Sequence, residues 1–138
     1  MKLSKTLLTA IVEKTGTGFS AYIKEMDGVI AVGDSLAELK NSLNESLFHH
    51  LDYLNETEGS ELSTDDYTID YHIDLQQFFD YFKVINKSAF AESYLHINKS
   101  LFRQYTKGIT SLSDKKLKKI STGLHQLAHE LDDISLIS

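Results

Sequence analysis

Six leucines, Leu36, Leu39, Leu43, Leu47, Leu51 and Leu54, recur at spacings of three and four. That spacing puts them along one side of a helix. A one-sided apolar stripe this long requires a flat apolar partner, so the chain around it should supply a sheet. The preceding residues have that character. Residues 5–14 (KTLLTAIVEK) and 18–24 (GFSAYIK) are short β-branched or aromatic runs separated by TGTG, and residues 29–32 (VIAV) follow the turn signal Asp27-Gly28. Ser35, with Glu38 three residues later, forms a capping box that opens the leucine helix. Residues 55–66 (NETEGSELSTDD) are polar and acidic and read as a loop. YTIDYHID at 67–74 alternates, with Tyr67, Ile69, Tyr71 and Ile73 on one face. The predicted order is β-β-β-α-β.

From Leu75 the period becomes helical. Leu75, Phe78, Phe79 and Phe82 line one side of LQQFFDYFKV. SAFAESY at 88–94 is a short helix begun by Asn86 or Ser88, and 98–108 is a second, capped by Asn98 and stopped by Gly108. After a loop at 109–113, a longer helix starts at Ser113 with Leu117, Ile120, Leu124, Leu127 and Leu131 as its stripe. Gly123 inside that helix marks a break or a close contact. These elements predict an α+β chain of two domains, residues 1–75 and residues 76–138.

Charge divides the same way. The net charge of −6 is the sum of two unlike halves: 5 Lys against 14 acids in residues 1–75, a net −9, and 9 basic against 6 acidic residues in 76–138, a net +3. Between Lys83 and Gly123 the count is 9 basic residues against Glu92 and Asp114, a net +7. Opposite signs on two modules point to different partners for each. No run reaches the roughly 18 apolar residues of a membrane span, and Glu13 interrupts the N-terminal apolar segment before a signal-type run can form. With no cysteine, there is neither a disulfide framework nor a thiolate metal site. A cytoplasmic protein with no membrane contact is expected.

Two short helices joined by a brief turn, the second basic, are the arrangement that inserts a helix into the DNA major groove. At about 100° per residue from Leu101, Tyr105 falls near 40°, whereas Arg103, Lys107 and Ser100 fall near 200°, 240° and 260°. Ile97, Leu101 and Tyr105 are therefore expected inward. Lys99, Ser100, Arg103 and Lys107 are expected at the groove, with Gln104 at its edge. Arg103 suits a guanine or a phosphate; Lys99 and Lys107 suit phosphates.

The stretch GFSAYIKEMDGVIAVGDSLAELKNSLNESLFHHLDYL resembles the N-terminal domain of HicB-type antitoxins, a reduced ribonuclease-H-like domain in that family. Residues 86–131 resemble the helix-turn-helix that follows it in members of this length. If Ala91 is the small residue of the first helix, the turn before Ile97 is one residue longer than the family's, and Leu95 or His96 stands where glycine is usual. The resemblance implies an antitoxin that neutralises a HicA-type toxin, a small basic messenger-RNA ribonuclease, and represses its own operon through operator DNA. It also implies no catalytic activity. Toxin contacts are expected on the acidic domain, with Glu25, Asp27 and Asp34 as candidates, and the last helix is the expected interface of a homodimer or higher oligomer. The alternatives are a solitary helix-turn-helix regulator without a toxin and a nuclease built on the sheet. For the nuclease, Asp70 and Asp74 alternate with the apolar face and point to solvent. His49 and His50 diverge, and His125 and His129 share a face but lack the internal Glu of a zinc-protease motif. No metal or cofactor is expected.

Overall fold

The computed structural model describes residues 5–138, and the chain divides into two compact units, one ending at Gln77 and the other beginning at Phe78. The architecture is α+β, with a four-stranded mixed sheet and five helices among the described residues.

In the first unit β1 (Thr6–Lys14), β2 (Phe19–Ile23) and β3 (Ile30–Gly33) form an antiparallel meander. β4 (Tyr67–Ile73) then returns parallel to β1, so the strand order is β3-β2-β1-β4. The parallel return needs a crossover, and α1 (Leu36–Glu58) supplies it. Leu39, Leu43, Leu47 and Leu51 are buried against Leu8, Ala10 and Val12 of β1, Phe19, Ala21 and Ile23 of β2, and Val29. Tyr67, Ile69, Tyr71 and Ile73 of β4 pack on the same core, with Thr68, Asp70 and His72 exposed between them.

At its N-terminus α1 is capped by Ser35 as the sequence predicts, but the reciprocal half of the expected capping box is shifted by one residue, to the Asp34 amide in place of the Ser35 amide. Ser35 Oγ accepts from the Glu38 amide at 3.1 Å, and Glu38 Oε2 accepts from the Asp34 amide at 3.0 Å. The helix runs past the expected loop boundary, however, and residues 55–58 are helical. Polarity does not end a helix; a backbone stop does. Here it is Gly59, left-handed at φ 68°. Asn55 then pins the following loop, accepting from the Leu62 amide at 2.8 Å and donating to the Leu62 carbonyl at 2.9 Å.

The second unit is helical. α2 (Leu75–Tyr81) starts in the first unit, where Asp74 Oδ2 accepts from the Gln77 amide at 3.2 Å, and it ends before the predicted Lys83-Val84, leaving Val84 exposed. α3 (Lys87–Phe90) continues into a π-helical turn, Ala91–Leu95. α4 (Lys99–Thr106) and α5 (Asp114–Asp133) complete the unit. Its core is an aromatic triangle: Phe79 meets Phe102 edge-on at 5.4 Å, and Phe90 lies 6.3 Å from Phe79 and 6.0 Å from Phe102. Ala91, Leu95, Ile97 and Ile120 close it.

Gly123 lies at a close contact and does not break α5. A Cβ there would lie 2.6 Å from Leu95 Cδ2 and 3.3 Å from Phe90 Cζ. The rest of the α5 stripe is less buried than its spacing predicts: Leu124 and Leu127 are half-buried, while Leu117 and Leu131 are exposed.

Candidate nucleic-acid interface

The paired helices of the second unit are built by three local devices. Asn86 Oδ1 caps α3 by accepting from the Ala89 amide at 3.0 Å. The π-helical turn Ala91–Leu95 then takes up one residue more than a regular helix would at this point, which accommodates the long turn seen in the sequence. His96, at φ 53° and ψ 40°, reverses the chain and is the one non-glycine residue with positive φ among those described. Its amide and that of Ile97 both donate to the Ala91 carbonyl, the latter at 3.0 Å, and Ile97 anchors the turn in the core. Asn98 Oδ1 starts the next helix, accepting from the amides of Ser100 at 2.9 Å and Leu101 at 3.2 Å.

α4 is seated differently from the expected wheel. Its buried line is Phe102 and Thr106; Leu101 and Tyr105, expected inward, are half-buried at its border. Thr106 Oγ1 satisfies itself by donating to the Arg103 carbonyl at 3.0 Å. Lys99, Ser100, Arg103, Gln104 and Lys107 are nonetheless all exposed, with Gln104 and Ser100 now farthest from the buried line and Lys99 nearest to it. Gly108, at φ 75°, stops the helix, and the Ile109 amide donates to the Gln104 carbonyl at 3.0 Å.

Arg103 and Gln104 are held. An Arg103 guanidinium nitrogen donates to Ser88 Oγ at the start of α3 at 2.9 Å, and Gln104 Oε1 accepts from the Thr110 hydroxyl at 2.9 Å. Ser88 therefore orients the arginine and does not begin the helix. The side chains of Lys99 and Lys107 have no hydrogen-bond or ion-pair partner among the described residues. Such an exposed face, with two free ammonium groups flanking an oriented guanidinium, can bind a polyanion.

The acidic candidates lie in the first unit. Glu25, Asp27 and Asp34 are exposed, and they differ in chemistry. Glu25 Oε1 accepts from the Thr9 amide at 2.7 Å, and this bond holds its carboxyl below the usual carboxylate range. Asp27 occupies the turn before Gly28, and Asp34 the turn into α1. Of the two acids expected on the last strand, Asp70 lies on β4 and is paired with His72 at 2.7 Å, whereas Asp74 lies beyond the strand end and caps α2. No group of three or more His, Asp or Glu side chains among the described residues is placed to hold a metal. A cavity of about 130 Å³ between α1 and residues 62–64, lined in part by Phe48, Leu51 and Asn55, is smaller than ordinary small-molecule sites. No helix among the described residues is long and apolar enough to cross a membrane. Compared with known proteins, the chain matches no family model, no curated protein and no solved structure.

Proposed function

We propose that this chain is a HicB-type antitoxin and autorepressor acting in the cytoplasm: residues 1–75 bind and neutralise a small basic HicA-type ribonuclease, and residues 76–138 form a helix-turn-helix that represses its own operon. The observation that carries the reading is the outward side of α4, where Lys99 and Lys107 stand unpaired beside an Arg103 oriented by Ser88. In this reading α3 is the supporting helix and α4 the recognition helix. The meander, crossover helix and parallel return strand of the first unit support its assignment as a reduced ribonuclease-H-like domain. The domain acts by binding. Asp70 on β4 and Asp74 just beyond it each have a local partner, in His72 and in the Gln77 amide of α2, which suits solubility and capping better than catalysis.

The test is to search beside this chain's reading frame for one that encodes a small basic protein, whose absence would favour the solitary regulator, and to co-express that protein with this chain. Growth arrest caused by that protein should be relieved by the full chain and by its first domain, with a stable complex on size exclusion. Failure of the pair to associate, with intact operator binding, would leave the solitary-regulator alternative.

A further inference from the structure

The start of α5 carries a charge arrangement that local physics disfavours. Asp114-Lys115-Lys116-Leu117-Lys118-Lys119 places four lysines in its first two turns, with Asp114 the acid of its first turn. A helix N-terminus is the positive end of the macrodipole, where cations are destabilising. The spacing adds repulsion, since Lys115 has Lys118 and Lys119 three and four residues on, and Lys116 has Lys119 three on. None of the four side chains has an ion-pair or hydrogen-bond partner among the described residues. Ser113 already caps the helix by accepting from the Lys116 amide at 3.2 Å, so the lysines add nothing to its start.

Around α5, at about 100° per residue from buried Ile120, Lys118, Lys115 and Lys119 fall near 160°, 220° and 260°, opposite the core. Lys116, half-buried, borders it. The same outward arc carries Thr122, Gln126 and His129 farther along the helix and no apolar side chain. An anionic membrane surface would require apolar residues among the cations to insert, and they are missing from this arc. A hydrated row of phosphates requires only the ammonium groups.

We infer that Lys115, Lys118 and Lys119 form a second nucleic-acid contact, a sequence-independent anchor on duplex DNA phosphates separate from the α4 side chains. The inference rests on the DNA-binding reading of this unit, but it assigns the salt-dependent share of binding to α5 and leaves base preference to α4.

The experiment is fluorescence anisotropy of the full chain on a random-sequence DNA duplex across a salt series, comparing the parent with the triple variant K115Q/K118Q/K119Q. The substitution removes repulsion, so circular dichroism should show an unchanged fold and an unfolding midpoint no lower than the parent's. The slope of log K against log salt should fall by roughly three units, about 0.9 per lost phosphate contact, and the triple Lys→Arg variant should restore it. Equal affinity and slope for parent and triple-Gln variant overturn the inference. So does tighter binding to single-stranded RNA than to the duplex, or loss of binding to phosphatidylserine vesicles in place of DNA. Arg103→Ala in parallel separates the two claims. If it changes nothing on operator DNA while the triple variant loses slope, the anchor stands and the α4 reading fails; the reverse result removes the anchor alone.

Discussion

At His96 a non-glycine residue takes the left-handed conformation that ends the π-helical turn. An L-residue there costs about 1–2 kcal/mol, whereas glycine costs about 0.5–1 kcal/mol in lost unfolded-chain freedom. His96→Gly should therefore stabilise the second unit by up to about 1 kcal/mol, read as a raised midpoint in urea unfolding. Gly123→Ala should do the opposite. Its gain of about 1 kcal/mol in helix propensity is outweighed by pressing a methyl group into Leu95 and Phe90, which costs about 1–3 kcal/mol. Glu25 governs an acid-side effect in the first unit. Its folded carboxyl lies below the usual range because it accepts the Thr9 amide, so its stabilising contribution is present above that range and is lost as pH falls through the lowered value. Glu25→Gln should flatten that acid loss in a pH series of unfolding midpoints.

Elements with a strong local signal were legible in the sequence. Ser35, Asn98 and Ser113 cap the helices that their spacing predicts, because a cap is decided within four residues. The leucine stripe found its sheet, and the alternation of β4 gave its buried face. What depended on tertiary contact was not legible. In the eight-residue α4, Leu101 and Tyr105 suggested one inward line, but Phe102 completes the aromatic triangle with Phe79 and Phe90 and turns the helix onto itself. The π-helical turn leaves no mark on apolar spacing, and only the long turn before Ile97 hinted at it. The candidate side chains stay exposed after the shift, although Lys99, at the first turn of α4, falls close to the line of Phe102 and Thr106. On α4, replacing Arg103 by Ala should cost roughly 1–3 kcal/mol on a specific operator and relax preference at one base, whereas replacing Lys99 or Lys107 should weaken all sequences alike. Operator and scrambled duplexes, titrated side by side, distinguish these outcomes.

At the scale of the whole chain, the two halves carry opposite charge, −9 over residues 1–75 and +3 over residues 76–138, and the proposal assigns each a partner of opposite sign. The chain also displays apolar residues after the core of the second unit is complete: Leu131 and Ile134 are about two-thirds exposed, and Leu136 and Ile137 are nearly fully exposed. A homodimer through this stretch would match the two-fold symmetry of a palindromic operator. Removing residues 134–138 should then shift sedimentation at tens of micromolar toward monomer, and an unchanged profile would place the interface elsewhere. The central claim is that DNA reading and toxin neutralisation occupy separate units of one chain. Its most direct measurement is operator binding by Arg103→Ala at physiological salt, with toxin rescue scored on the same variant. The account predicts operator affinity reduced at least fivefold and rescue equal to the parent's; parental operator affinity, or rescue lost together with DNA binding, would contradict it.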